Sequence, residues 1–272
     1  MNKKALVAIV GIALVVIVGI VMVINKRNTG PKVVEDNTQI DLPINTIPLA
    51  ERPVITLRPD STGRSLDISL SQAPTEGELE YEMIYNASGK QEGALGSIFL
   101  SSEKQPIVKS ILLGSKSGGG KITYHEGVTG GSITVTYGPP RLANGEAGET
   151  RLKESWNYLH FDPTDPVISS TDAKFHVTLP KTALKKGAVV ITMKTFGYPT
   201  MEGKVVAGPY GYFAQTEIKG SSQVEIKLPA GEHVNPTIYE YSGTAWKKLV
   251  TKLTGDTVSA TATGSIFVVT AE

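Results

Sequence analysis

The sequence predicts an all-β body preceded by one amino-terminal transmembrane α-helix. Beyond residue 52, apolar residues recur with a period of two, in short runs that are rich in β-branched and aromatic side chains. Gly, Pro, Ser and Asn separate these runs, and no long helical pattern lies between them. Such spacing favours antiparallel β-sandwiches over a parallel α/β sheet. A long apolar run at the amino terminus is the second signal.

The amino-terminal run covers residues 5–24, ALVAIVGIALVVIVGIVMVI, without a polar or charged side chain. At about 1.5 Å per residue, a helix of this length spans about 30 Å, the thickness of a bilayer core. Val and Ile favour strands in water, but in lipid a helix prevails because an open strand leaves backbone groups unpaired. We therefore predict a transmembrane helix over residues 5–25, which contacts the lipid bilayer through residues 5–24.

A cleaved signal peptide is the alternative reading of this run. The apolar region of a signal peptide has about 7–15 residues and ends in small residues. Here the run is longer and continues into Lys26 and Arg27, so we expect an uncleaved signal-anchor. Lys3 and Lys4 nearly balance these two charges. The short tail of residues 1–4 is expected in the cytoplasm, with the carboxyl-terminal body outside the plasma membrane.

Two all-β modules are predicted after a tether. Residues 26–51 show no sustained period and contain several prolines, which is typical of an extended linker. The stretch FDPTDPVISSTD (161–172) resembles a boundary, because the alternating pattern restarts after it. The sequence therefore predicts one β-sandwich over residues 52–163 and another over 166–272, with one continuous two-layer body as the alternative.

Three segments give specific expectations for buried faces. Two runs, SLDISLS and QVEIKLP, alternate cleanly, and their inward residues are predicted to be Leu66, Ile68 and Leu70, and Val224, Ile226 and Leu228. The segment 149–162, ETRLKESWNYLHFD, is ambiguous. Leu152, Trp156 and Leu159 fit one face of a helix, whereas Trp156 and Tyr158 fit one face of a strand.

The carboxyl-terminal tail, YEYSGTAWKKLVTKLTGDTVSATATGSIFVV, carries a Trp-bearing strand (Trp246) and a Gly-Asp turn (Gly255 and Asp256) before two last strands. This arrangement resembles the closing strands of immunoglobulin-like or fibronectin-III-like modules in bacterial surface proteins. With the amino-terminal anchor, the chain resembles a bacterial single-pass surface protein with such modules. The resemblance implies an immunoglobulin-like β-sandwich fold and a structural or adhesive role.

Charge and cysteine content exclude several classes of function. The chain has 27 basic and 26 acidic side chains, so its overall charge gives no indication of a nucleic-acid partner. Cysteine is absent, which excludes disulfides, thiolate metal sites and cysteine nucleophiles.

The glycine-rich run GSKSGGGK (114–121) invites comparison with a phosphate-binding loop. Such a loop needs G-x-x-x-x-G-K-[ST] between a strand and a helix. Ser115 stands where the first glycine belongs, Ile122 replaces the hydroxyl residue, and a strand pattern follows. The run is therefore predicted to be a β-hairpin with a glycine-rich tip.

The histidines are candidates for catalysis or metal binding. His125 precedes Glu126, and His160 lies two residues before Asp162. Zinc or a hydrolytic base would need several such groups to converge, and neither a histidine-pair spacing nor a G-x-S-x-G elbow is present. We therefore interpret the histidines as surface or hydrogen-bonded core residues and predict no catalytic residue and no enzyme.

Three aspartates at the proposed module junction, Asp162, Asp165 and Asp172, form a candidate calcium site. Hard cations take several carboxylate oxygens, and no other cofactor is indicated. The alternative is that the Asp-Pro pairs are rigid turn residues.

Tyr198, Tyr210 and Tyr212 lie among glycines and prolines and form a candidate ligand-binding set. Exposed tyrosines on loops are flat platforms for sugar rings or partner chains, whereas buried ones fill a sandwich core.

Together these observations predict a membrane-anchored surface protein with an adhesive or scaffolding role, whose partner is a protein or a glycan at the cell surface. Two alternatives stay open: a carbohydrate-binding or carbohydrate-active envelope protein, and a subunit of a larger envelope complex.

Overall fold

A computed structural model describes residues 43–101, 104–138 and 148–272, which belong to one compact unit. These residues form antiparallel β-structure with one short 3-10 helix, Leu49–Glu51, and contain no α-helix. The all-β prediction is therefore confirmed for them. The predicted transmembrane helix, its cytoplasmic tail and the first part of the linker lie outside the described residues. Within the described ranges, no helix has the length and apolar character needed to cross a membrane.

The strands are numbered in chain order. They are β1 (Val54–Pro59), β2 (Ser65–Ser71), β3 (Glu78–Ala87), β4 (Lys90–Phe99), β5 (Ile107–Leu112), β6 (Gly114–Lys116), β7 (Ile122–Tyr124), β8 (Val128–Tyr137), β9 (Thr150–His160), β10 (Val167–Ser169), β11 (Phe175–Thr178), β12 (Val189–Lys194), β13 (Val205–Ala214), β14 (Ser222–Lys227), β15 (Thr237–Tyr241), β16 (Trp246–Lys248), β17 (Lys252–Thr254), β18 (Thr257–Ala262) and β19 (Ile266–Thr270).

The largest sheet has nine strands, in the order β16-β15-β19-β13-β12-β9-β8-β3-β4. A three-stranded sheet, β1-β2-β5, and a five-stranded sheet, β10-β11-β14-β18-β17, accompany it, and β6 and β7 form a separate hairpin. Strand β9 pairs with β12 from Met193 opposite Trp156 to Val189 opposite His160. Hydrogen bonding therefore continues across the predicted module boundary.

Two hydrophobic cores lie on opposite faces of the nine-stranded sheet. Val189, Ile191 and Met193 of β12 belong to the first core, which the three-stranded sheet completes. Val190 of the same strand belongs to the second core, which the five-stranded sheet completes. Successive side chains of a strand point to opposite faces, so β12 serves both cores. Side chains from both sides of residue 163 therefore contribute to the first core within this continuous sheet.

The alternating patterns place their residues as predicted. Every second residue of β2 is buried, and Val224, Ile226 and Leu228 are buried in the second core. The ambiguous segment is strand β9, with Trp156 and Tyr158 both buried. The helical interpretation is wrong, because pairing with β8 and β12 gives this segment a period of two. The glycine-rich run is confirmed as the β6–β7 hairpin.

The last part of the predicted linker is attached to the body. Asn45 N donates to Arg151 O at 2.9 Å, and the Asn45 amide exchanges hydrogen bonds of 3.0 Å with the backbone of Lys153. Arg52 Nε donates to Ile47 O at 2.9 Å. Within the predicted linker, which extends to residue 51, Asn45 is therefore fixed along β9 and the carbonyl group of Ile47 is bonded to Arg52.

Candidate ligand-binding groove

A tight turn between β1 and β2 places Arg64 at the surface. Asp60 Oδ1 accepts hydrogen bonds from the backbone N–H groups of Arg64 (2.9 Å) and Ser65 (3.2 Å). Gly63 has φ +71°, which glycine adopts without strain. Tyr158 Oη donates to Gly63 O at 2.6 Å, and burial raises the pKa of this tyrosine to about 12, with a further contribution from Asp60. The phenol therefore stays a donor, and the turn is rigid.

His125 follows β7 and is held from two sides. Its Nδ1 lies 2.9 Å from Tyr85 Oη, and its Nε2 lies 3.8 Å from Glu92 Oε2. Burial raises the pKa of Tyr85, and the negative charge of Glu92 adds to this rise. The ring of Tyr124, the residue before His125, is exposed and packs against the Arg64 guanidinium, 4.4 Å from its centroid.

We call the first depression the histidine pocket. It has a volume of about 280 Å³, and its side chains include Arg64, Tyr124, His125, Glu126 and His160. His160 Nδ1 lies 3.1 Å from the carbonyl oxygen of Gly187, which accepts a hydrogen bond from it. In the neutral ring the proton is therefore on Nδ1, and Nε2 is an acceptor.

The second depression, which we call the lysine groove, adjoins the first and has a volume of about 670 Å³. Lys185, Lys186 and Lys219 line it, and Gly187 and Gln215 line both depressions. Gln215 forms part of the shared wall. Its Oε1 accepts from Val189 N at 3.1 Å, and its Nε2 donates to Ser61 O at 2.5 Å. We refer to the histidine pocket and the lysine groove together as the composite groove.

Basic side chains outnumber acidic ones in the composite groove. Its formally charged groups are Arg64, Lys185, Lys186, Lys219, Glu126 and Glu217. Of the lysines, Lys186 is paired with Asp162 at 3.5 Å. Three basic groups then remain against Glu126 and Glu217, and this excess of one positive charge makes the composite groove suited to a ligand that carries negative charge.

The structure brings together the two histidines that the sequence leaves apart. His125 begins the loop between β7 and β8 and His160 ends β9, yet both line the histidine pocket. Glu126 lies in the same lining. Over the described ranges, no group of three His, Cys, Asp or Glu residues is arranged to hold a metal ion. The three side chains therefore form a polar pocket.

Two of the three candidate calcium ligands, Asp162 and Asp172, have separate side-chain partners. Asp162 accepts from Thr164 N and Oγ1 at 2.9 and 2.8 Å, and these hydrogen bonds are the main reason that its pKa is lowered. Asp172 accepts from Ser170 Oγ at 2.6 Å and from Tyr210 Oη at 2.8 Å. The structure does not assemble the aspartates, Asp165 included, into a metal-holding group.

The three candidate tyrosines are buried, at 9 % exposure or less. Tyr210 stacks on Phe175 with ring centroids 5.2 Å apart, and Tyr212 stacks on Phe267 at 5.8 Å. Of the two placements that the sequence left open for Tyr198, Tyr210 and Tyr212, the structure has the buried one. In this fold they offer no free face to a sugar ring.

Arg64, Lys185 and Lys219 are candidate functional residues that the sequence alone does not reveal. Each stands in a different connection, and no spacing motif links them. No protein-family model matches the chain, and neither does any curated protein or solved structure. The interpretation of the composite groove therefore depends on its geometry.

Proposed function

We propose that the chain is a single-pass, membrane-anchored surface protein whose β-sandwich body binds a partner through the composite groove. Residues 5–24 support the anchor, because they form an uninterrupted apolar run of bilayer length. The amino terminus is inside and the body is outside the plasma membrane. Strands β15–β19 of the body, with Trp246 in β16 and a turn at Gly255 and Asp256, support the relation to immunoglobulin-like modules.

One observation carries the binding role: connections that are distant in sequence converge on the composite groove. The β1–β2 turn, the loop after β7, the connection before β12 and the segment after β13 all line it. Loops held by a rigid scaffold are the usual location of binding residues. The continuous sheet supplies that scaffold, and it also suits a protein that holds partners at a fixed geometry.

Membrane fractionation and protease treatment test the anchor. We expect the full chain in the membrane fraction, released by detergent and not by alkaline carbonate, and we expect protease added to intact cells to degrade the body. A variant that lacks residues 5–24 should be soluble. Protection of the body in intact cells would reverse the orientation, and recovery of a shortened chain from the medium would contradict the anchor.

A steric variant tests the binding role whatever the ligand. Thr182 is exposed in the lysine groove, so Thr182→Trp fills the groove without disturbing a core. Thr244→Trp, in the exposed β15–β16 turn, is the matched control. Cells that display the full chain should adhere to immobilised envelope fragments, and only Thr182→Trp should abolish the adhesion. Equal adhesion of both variants would show that the groove is not the binding site.

One feature favours a second candidate, a carbohydrate-active envelope enzyme. His160, His125 and Glu126 share one pocket, and catalysis by proton transfer needs such convergence. Incubation of the full chain with envelope glycans, followed by measurement of new reducing ends, tests this candidate. Product that disappears with His160→Asn would replace the binding function with a catalytic one, and absence of product would remove the second candidate.

A further inference from the structure

We infer that the composite groove binds an acidic saccharide chain, with an anionic group of the ligand at Arg64 and a second one at the lysine groove. This inference rests on the proposed binding function and adds the chemical class of the ligand. Three features carry it: the fixed position of Arg64, the unpaired lysines next to it, and the wall that both depressions share.

Arg64 is positioned in advance for an anion. Hydrogen bonds from the Arg64 backbone to Asp60 Oδ1 (2.9 Å) and Thr62 Oγ1 (3.2 Å) fix its main chain, and the guanidinium packs on the ring of Tyr124. Stacking engages the flat face of a guanidinium and leaves the in-plane N–H donors at its edge available. These donors match the two oxygens of a carboxylate or a phosphate. No ion pair within the described part of the chain occupies the Arg64 guanidinium.

Lys185 and Lys219 supply a second positive position. Both are exposed, and neither forms an ion pair with another described residue. The backbone of Lys219 is fixed, because Lys219 N donates to Ala183 O at 3.1 Å. The neighbouring Lys186 is paired with Asp162, so the charge that is left for a ligand comes from Lys185 and Lys219.

The two positive positions lie in adjoining depressions whose shared wall is Gly187 and Gln215. A single anion occupies one of them, whereas a chain with repeated anionic groups occupies both. The lining also offers polar acceptors and one aromatic ring, through His160, Glu126 and Tyr124, which suit the hydroxyl groups and the apolar face of a sugar. Nucleic acid is less favoured, because the lining contains one exposed tyrosine and no tryptophan or phenylalanine for base stacking.

Calorimetric titration of the full chain in detergent micelles tests the inference. Two acidic probes separate the possible sources of the anion: an oligogalacturonate, which carries carboxylates, and a phosphorylated maltohexaose, which carries phosphates. Maltohexaose is the neutral control, and a single-stranded oligonucleotide tests the alternative class. We expect one acidic probe to bind with one-to-one stoichiometry. Its affinity should fall as salt is added. Equal affinity for maltohexaose, tighter binding of the oligonucleotide, or failure of both acidic probes would overturn the inference.

Variants that replace one basic side chain by glutamine test where the ligand binds. Arg64→Gln and Lys219→Gln should each lower the affinity for the acidic probe by about tenfold, which is the effect of losing one charge-assisted contact. Lys252→Gln, on the exposed strand β17, removes the same charge outside the groove and should leave the affinity unchanged. Equal losses in all three variants would show a non-specific charge effect and contradict the site.

The two proposals can fail separately. If Thr182→Trp abolishes adhesion and no acidic probe binds, the binding function stands and the ligand class is wrong. If Thr182→Trp leaves adhesion unchanged while Arg64→Gln weakens an acidic probe, the ligand class stands and the adhesive role is wrong. Unchanged melting temperatures of the variants confirm that each one folds.

Discussion

Two glutamates with little exposed surface lie on the nine-stranded sheet, Glu154 in β9 and Glu240 in β15, and the two carboxyl groups differ in their ionisation. The side chain of Glu154 is 13 % exposed and that of Glu240 is 3 % exposed. Burial raises the pKa of Glu154 to about 7. The more deeply buried Glu240 has a pKa below its ordinary value.

Hydrogen bonds contribute to the contrast between the two carboxyl groups. Burial raises the pKa of Glu240, but backbone N–H groups of Gly264 and Thr263, each 2.7 Å from Oε2, and the ammonium group of Lys247 outweigh it. Glu154 faces Arg52 Nη1 at 3.8 Å. The positive charges of Lys194 and Arg52 lower its pKa less than burial raises it. A buried carboxylate is therefore accommodated by direct donors and not by a cation at a distance.

The largest expected effect concerns the independence of the two halves. The first core contains Ile191, Met193, Phe196 and Phe213, which all come from the second half of the chain. Residues 43–163 alone would lack these side chains, so we expect no cooperative thermal transition by circular dichroism, whereas the full chain unfolds cooperatively. Cooperative unfolding of both separate halves would instead confirm the prediction of two modules.

The second-largest expected effect is the loss of stability when the hydrogen-bonded carboxylate of Glu240 is removed. Glu240→Ala leaves two backbone N–H groups without their acceptor, and we expect the free energy of unfolding to fall by about 3 kcal/mol. Urea denaturation followed by tryptophan fluorescence measures the change. Glu225→Ala, on the exposed face of β14, is the control and should change stability by less than about 0.5 kcal/mol. Similar losses in both variants would show that the hydrogen bonds of Glu240 do not stabilise the fold.

The contrast between the glutamates also shows which features of the fold can be predicted from the sequence. The period of two predicts β2 and β14 with their buried faces, because alternation is a local property of a strand. The strand alternative for 149–162 follows from the same rule. Glu154 lies on the same face as Trp156, yet the alternation alone gives no indication of which donors meet its carboxyl group.

The groove and the order of the strands depend on long-range contacts. His125 and His160 meet because the loop before β8 and the end of β9 reach the same edge of the body, and no spacing motif encodes this. The attachment of the segment that begins at Asn45 depends on the side-chain amide of this residue. In the sequence, an asparagine at this position is typical of a linker. The buried tyrosines were ambiguous for a similar reason, since glycine and proline around a ring indicate a loop or an irregular strand equally well.

The smallest expected effect is the pH dependence that Glu154 introduces. Its pKa rises from 4.5 to about 7 on folding, so the folded state holds the proton more tightly than the unfolded state. The stabilisation is complete below about pH 4.5 and is lost as the pH rises through about 7. The full shift corresponds to roughly 3 kcal/mol, of which about 2.5 kcal/mol is lost between pH 5 and pH 8. Urea denaturation at a series of pH values should therefore show the contribution of this residue falling between these limits.

Glu154→Gln isolates this contribution because glutamine does not titrate. The difference in unfolding free energy between the wild-type chain and Glu154→Gln should become less favourable to the wild type as the pH rises from 5 to 8. Asp172 adds to the rise in the pKa of Glu154, so Asp172→Asn should shift the midpoint of this dependence to lower pH. A difference that does not change with pH would mean that hydrogen bonds or water satisfy the Glu154 carboxylate, and the contrast with Glu240 would then disappear.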